Sequence, residues 1–200
     1  MKEIVLATKN RGKVKEFAAL FQRYGMKTIS LLDIEKSVPD IAETGTTFHE
    51  NARLKAEGIA DVLNKPVIAD DSGLVVDALD GKPGVYSARY AGEPSDDVKN
   101  YEKLLQEMKD VPESKRTARF VCVLAVAMPE RETIFTEGIC EGTIAYEPKG
   151  TNGFGYDPVF IPNGYDCTMA QLEPSVKNRI SHRYNALIKL EKWLKQQMNR

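Results

Sequence analysis

Short apolar runs and helix-spaced apolar stripes alternate along this chain. Glu3 to Thr8 carries Ile-Val-Leu-Ala without a break and reads as a buried strand. A polar turn follows, Lys9-Asn10-Arg11-Gly12-Lys13, and then Val14, Phe17, Ala18 and Phe21 at helical spacing. Lys27 to Leu32 reads as a second strand, and a looser segment runs from it to Thr46. Thr47-Phe48-His49-Glu50 has the form of a capping box, which predicts a helix with Phe48, Ala52, Ile59 and Val62 on its apolar face. Lys55 falls in the middle of that stripe. Either its stem packs while the ammonium escapes to water, or an inward charge has a task there. His49 reads as a surface residue.

The run Val67 to Val76 is apolar and β-branched except at Asp70-Asp71-Ser72-Gly73. Buried strands are costly places for charge, so an acid pair at a break in such a run faces a cation, a cleft or a tight turn. The plainer reading is an Asp-Ser-Gly turn between two strands. Further on, Ser95-Asp96-Asp97 predicts a helix start, with Val98, Tyr101, Leu105 and Met108 as its core face. Arg119 to Met128, turned by Pro129-Glu130-Arg131-Glu132 into Thr133 to Ile139, predicts an antiparallel hairpin and so excludes an all-parallel sheet. Leu187, Ile188, Leu190 and Leu194 mark a final helix.

Composition narrows the class. A chain of 200 residues with 42% hydrophobic and 28% charged residues can bury the core of a single domain spanning 1–200. With 28 basic and 29 acidic residues the net charge is −1, which gives no overall pull toward nucleic acid or an anionic membrane. Phosphate binding must therefore be local. Cys122, Cys140 and Cys167 are odd in number and lack metal-ligand spacing, which argues against a disulfide framework or structural zinc and for a reducing compartment. No apolar segment approaches membrane-spanning length, and a cytoplasmic location is expected.

Local chemistry concentrates in four places. The strand-loop-helix at the start of the chain puts Lys9, Arg11 and Lys13 beside helix N–H groups, a setting that suits phosphate, although GxxxxGK[ST] is absent and a solvated basic turn is the alternative. The acid pair and Lys55 are the second. The third is Gly150-Thr151-Asn152-Gly153-Phe154-Gly155-Tyr156-Asp157-Pro158, whose glycines allow close backbone approach and whose two rings offer flat faces to a planar ligand. The fourth is the basic cluster Lys177, Arg179, Ser181-His182-Arg183. Carboxylates suit Mg²⁺ bridging a polyphosphate, lysines offset the remaining charge, and aromatic and donor groups take a base. These residues would serve phosphoryl transfer or hydrolysis equally well.

Taken in order, several of these stretches resemble the inosine/xanthosine triphosphate (dITP/XTP) pyrophosphatase family. The resemblance rests on Leu6 to Lys13, Glu43-Thr44-Gly45, Phe48 to Lys55, Ala69 to Leu74, Pro83 to Tyr90, Gly153 to Pro158, Lys177-Asn178 and Ser181-His182-Arg183. It implies an α/β fold with a mixed, elongated central sheet flanked by helices, two lobes with an active-site cleft between them, and a homodimer. It also implies hydrolysis of dITP, ITP or XTP to the monophosphate and pyrophosphate with Mg²⁺. By position, Thr8, Lys9, Asn10, Arg11, Gly12 and Lys13 would hold phosphates, with Lys55 reaching the same group. Glu43 and Asp71 would bind the metal, and Asp71 would be the general base. Ser72 would contact substrate, while Phe154, Gly155, Tyr156, Asp157, Lys177, His182 and Arg183 would hold the base. Lys9 and Asn152 depart mildly from the family pattern, where small residues are common.

Hypoxanthine and xanthine carry a keto oxygen where adenine has an amine. Donors from His182, Arg183 and loop N–H groups would satisfy the first and oppose the second, at about 1–3 kcal/mol per mismatched contact. Three other readings compete. A haloacid-dehalogenase-type phosphatase would need Asp-x-Asp, which Asp70-Asp71-Ser72 does not supply. A pyrophosphatase for modified pyrimidines is disfavoured by Ser181-His182-Arg183. A nucleotide sensor would bind without turnover.

Overall fold

A computed structural model of the chain describes residues 2–34 and 38–198. Its elements run β1 (Glu3–Leu6), α1 (Arg11–Gln22), β2 (Lys27–Ser30), α2 (Phe48–Leu63), β3 (Val67–Val76), α3 (Asp97–Glu107), β4 (Thr117–Ala127), β5 (Ile134–Ile144), β6 (Phe160–Pro162), α4 (Pro174–Ile180) and α5 (His182–Met198), with short 3₁₀ turns between. Part of the loose segment expected after β2, residues 35–37, lies outside the described residues. The strands form a six-stranded sheet in the order β2-β1-β3-β4-β5-β6.

The sheet is mixed, as the sequence implies. β1 pairs in parallel with β2 and with β3, while β5 and β6 are antiparallel. β4 and β5 are neighbours joined by residues 128–133, a link far too short for a parallel crossover. β6 and the extension of β5 to Ile144 go beyond what the pattern shows, because β6 is only three residues long. Val5 pairs with Val67 and Leu6 with Ile68, so the loop that leaves β1 emerges alongside the middle of β3.

By internal contacts the chain separates into two compact units, Met1–Asp71 with Val123–Glu137 and Ala186–Arg200, and Ser72–Cys122 with Gly138–Asn185. In the first, Ile4, Val5 and Leu6 are fully buried, as are Phe17, Leu20 and Phe21 of α1 to within a few per cent. The capping box of α2 is present, with the Thr47 hydroxyl accepting from the Glu50 N–H at 3.1 Å and the Glu50 carboxylate accepting from the Thr47 N–H at 3.2 Å. The buried stripe of α2 is Ala52, Ala56, Ile59 and Ala60, and Val62 is exposed. Ala52 and Ile59 of the expected face are buried as read, while the small Ala56 and Ala60 extend it and Val62 falls outside.

The second unit packs Leu74, Leu104, Met108, Phe120, Val159, Phe160 and Met169 into one core. The rings of Phe120 and Phe160 meet at 4.6 Å and 58°. On α3 the inward positions are Asn100, Leu104 and Met108, whereas Val98 is exposed. Met108 of the expected face is buried and Tyr101 and Leu105 pack against the core, while Asn100 occupies an inward position as a polar residue, satisfied by the Ala91 N–H at 2.7 Å and the Ala88 carbonyl at 3.0 Å. Cys122, Cys140 and Cys167 form no disulfide, and burial pushes the Cys140 thiol up to about 11. Among the described residues no helix is long and apolar enough to cross a membrane.

Candidate active site

The acid pair does not sit in a turn. β3 runs unbroken from Val67 to Val76 with Asp70 and Asp71 both buried inside it, which corrects the simpler expectation of two strands joined at Asp-Ser-Gly. Successive strand side chains point to opposite faces, so the two carboxylates leave β3 on different sides. Asp70 is 3% exposed, and its Oδ2 accepts from Lys13 Nζ at 2.6 Å. Neutralisation by that ammonium is what makes an acid tolerable here.

Asp70 also organises the second lysine. Lys55 Nζ donates to the Asp70 main-chain oxygen at 3.2 Å and forms an ion pair with Glu43. The Lys55 side chain is only 20% exposed, so it turns inward rather than escaping to water. Glu43 is brought within its reach by a short anchor: the Gly45 N–H donates to Asn51 Oδ1 at 2.7 Å, and Asn51 is buried in the first turn of α2. A side chain on Gly45 would collide with Glu50, so the segment can approach the helix start only with glycine there.

The loop after β1 is self-capped. Asn10, the N-cap of α1, accepts from the N–H groups of Gly12 at 2.9 Å and Lys13 at 3.1 Å, while its own N–H goes to the Thr8 hydroxyl at 3.1 Å. Thr8, Lys9, Lys13, Glu43, Lys55 and Asp70 line one cavity of about 460 Å³, with an apolar wall that includes Leu31, Ile34, Val38, Ile41 and Ile59. Three of those side chains are lysines and a further acid, Asp40, lies 3.6 Å from Lys9. Asn10, Arg11, Gly12 and Asp71 are not part of the lining.

In the second unit the glycine-aromatic loop is held from both sides. Gly153 and Gly155 adopt φ of 82° and 61°. A Cβ on Gly153 would strike the Asp157 carboxylate, so that position requires glycine twice over. Asp157 Oδ2 accepts from the Phe154 N–H at 2.8 Å and pairs with Lys177, whose ammonium lies 4.7 Å from the centre of the Phe154 ring. Asp97 Oδ2 accepts from the Gly155 N–H at 2.8 Å. The loop N–H groups of Phe154 and Gly155 are thus engaged within the protein.

The two rings of this loop differ in kind. Phe154 is 59% exposed and presents a face, whereas Tyr156 is buried with its hydroxyl donating to the Ser87 carbonyl at 2.8 Å. The flat faces expected at both positions therefore reduce to one. Burial raises the Tyr156 hydroxyl well above its usual range, and raises the Asp157 carboxyl although Lys177 pulls the other way. His182 opens α5 with its ring stacked on Phe120 at 4.9 Å and 15°, and Arg183 beside it is buried. Ser72 follows Asp71 on β3, half buried. Asp97 escapes a sequence reading because the Gly155 N–H it holds is 58 residues away, and the bonds that Asn51 makes to Gly45 and Ser87 to Tyr156 leave no pattern along the chain.

Comparison with known proteins was made against this geometry. The profile of the Ham1 family matches residues 4–193. A dITP/XTP pyrophosphatase of Oceanobacillus iheyensis is 62% identical over 194 residues, covering 97% of this chain and 98% of that protein. Its counterpart of Geobacillus kaustophilus is 60% identical, covering 96% and 95%. Among solved structures, the Staphylococcus aureus Ham1 protein superposes with a TM-score of 0.92 at 47% identity, covering 98% of this chain and all of that one. A nucleoside-triphosphatase / dITP/XTP pyrophosphatase of Mycobacterium abscessus gives 0.82 at 40% identity, covering 94% and 97%.

Proposed function

The chain belongs to the Ham1 family, and from that premise we propose that it hydrolyses dITP, ITP and XTP to the monophosphate and pyrophosphate, removing deaminated purines from the nucleotide pool. The observation that carries this reading is the convergence of Lys13 and Lys55 on Asp70 in a cavity that Thr8, Lys9 and Glu43 share. In that cavity Lys13 and Lys55 take the polyphosphate, with Thr8, Asn10 and the start of α1 beside it. Asp71 accepts the proton of the water that attacks the α-phosphorus, and pyrophosphate leaves. Phe154, Lys177, His182 and Arg183 take the base, and Ser72 contacts the substrate.

The donor set suits Mg²⁺. The lysines of the cavity already lie against acids of its own wall, so a triphosphate entering it needs further positive charge. No group of three metal-ligating side chains occurs among the described residues. A hard cation held by one or two carboxylates, with phosphate and water oxygens completing its shell, matches that scarcity. Glu43 and Asp71 would hold it, and when bound it would offset charge on the phosphate oxygens. In the same reading the enzyme works in the cytoplasm as a homodimer on a small-molecule substrate, with no nucleic-acid or membrane partner.

The test is pyrophosphate release with Mg²⁺ from a panel of ITP, dITP, XTP, ATP, GTP, CTP and UTP. Selective release from the inosine and xanthosine nucleotides is expected. Inorganic phosphate in place of pyrophosphate would put the attack at the wrong phosphorus, and binding without release would make the chain a sensor.

A further inference from the structure

The base of the glycine-aromatic loop is anchored, with the Lys149 N–H donating to the Pro158 carbonyl at 2.8 Å and the Asn152 N–H to the Ala170 carbonyl at 3.0 Å, but its tip is not. Gly153 and Gly155 both adopt left-handed backbone, and glycine loses more freedom on ordering than any other residue. Apart from its chain neighbours, no heavy atom lies within 4 Å of where a Cβ on Gly155 would sit, so that position faces open space. At the tip, the amides of Phe154 and Gly155 are each held by a carboxylate. One, Asp157, belongs to the loop itself and holds the Phe154 N–H. The other, Asp97, lies 58 residues earlier and holds the Gly155 N–H at 2.8 Å.

We propose that Asp97 is a positioning residue for base recognition, holding the Gly155 N–H so that the exposed Phe154 face and the Lys177 ammonium stand where the base is read. The inference rests on the function proposed above and adds to it a residue outside every stretch that carried the family resemblance. Asp97 is suited to the task because its own element is rigid. It is the first residue of α3, directly after the N-cap Asp96, whose side chain accepts from the Lys99 N–H at 3.1 Å, and the helix is anchored by the fully buried Leu104 and Met108. A carboxylate on a fixed helix is a better reference point for a flexible loop than a contact within the loop. The negative charge of Asp97 is also felt at Asp157, which it pushes upward, so the two carboxylates bracket the loop at close range. Phe154 directly precedes Gly155 and its ring lies 4.7 Å from Lys177 Nζ, so releasing the Gly155 amide disturbs the pairing of ring and ammonium.

Two variants and two readouts test this. Asp97→Ala removes the acceptor, while Asp97→Asn keeps an acceptor oxygen without the charge. In Asp97→Ala the Gly155 amide should exchange with solvent roughly tenfold faster, and KM for ITP should rise roughly tenfold with kcat within about twofold of the parent, the scale expected for one charge-assisted hydrogen bond. Asp97→Asn should keep both quantities near the parent values. Unchanged Gly155 exchange in Asp97→Ala overturns the hold, and faster exchange with unchanged KM overturns the positioning role. A fall in kcat at constant KM would also overturn it, since the effect would then lie at the phosphate end. If the parent protein releases no pyrophosphate from ITP, the proposed function fails, and amide exchange still decides whether Asp97 holds the loop.

Discussion

Replacing Lys55 by Met separates what this residue does for the fold from what it does for the reaction. The thioether keeps most of the stem in the α2 stripe, so packing changes little. What is lost is one hydrogen bond to the Asp70 carbonyl at 3.2 Å and the ion pair with Glu43. The Glu43 side chain is 31% exposed and can be hydrated once alone, so the pair is discounted to about 0.5 kcal/mol. The hydrogen bond from a charged donor adds about 1–1.5 kcal/mol. A loss of about 2 kcal/mol lowers the melting temperature of a chain this size by about 4–8 °C.

The catalytic cost should be far larger. An ammonium aimed at charge that develops on a phosphate group is worth about 10²–10³ in turnover, or about 2.7–4 kcal/mol. Lys55→Met should therefore be a folded protein at 25 °C with pyrophosphate release from ITP reduced by at least about a hundredfold. Thermal melts followed by circular dichroism give the first quantity and initial rates at saturating ITP give the second. A folded variant that keeps a third or more of the parent turnover would refute the role given to Lys55. Loss of the fold itself would refute the structural discount.

Arg116 is 2% exposed and donates to the carbonyls of Ile144, Met108, Val111 and Ala145, with its guanidinium 4.2 Å from the Tyr146 ring. Arg116→Met strands those acceptors at about 1–3 kcal/mol each, only partly offset by sparing a buried charge, so a melting temperature lower by about 10 °C or more is expected and a drop under about 3 °C would contradict it. Asp157 gives a pH dependence. Burial raises its carboxyl above the usual range, so as pH falls it takes up its proton earlier than surface acids do, and the Lys177 pair and the Phe154 N–H bond go with the charge. KM for ITP should rise on the acid side from a pH above the ordinary carboxylate value, and Asp157→Asn should lack that limb; a parent profile flat down to the ordinary value would count against it. The sign for stability is opposite: a raised native pKa means the folded state binds the proton more tightly, so this group's contribution is present at acid pH and declines as pH rises through the raised value.

Much of this was legible in the residues. The capping box of α2, the mixed sheet, the hairpin of β4 and β5 and the last helix are local patterns, and local patterns survive into the fold. The stripes of α2 and α3 are read correctly at Ala52, Ile59 and Met108 but miss Ala56, Ala60 and Asn100, since a stripe read mainly from bulky residues passes over small and polar ones. Lys55 was legible as a conflict within its stripe, though the direction its ammonium takes depends on Glu43 and on the Asp70 carbonyl, which no helical periodicity contains. Asp97 was not legible in this role, because the Gly155 N–H it holds is 58 residues away in sequence.

The acid pair itself shows why the continuous strand matters. In a turn, Asp70 and Asp71 could converge on one cation. In a strand with period two they cannot, because Mg²⁺ needs its oxygens at about 2.0–2.1 Å and adjacent side chains leave by opposite faces. Asp70 spends its charge on Lys13 and its carbonyl on Lys55, fixing two cations with one residue. Reading the pair as one bidentate metal site would assign Asp70 a duty that its geometry has already given to Lys13. Under the function proposed above, Asp71 rather than Asp70 is the acid that serves the attacking water, because Asp70 is held by Lys13.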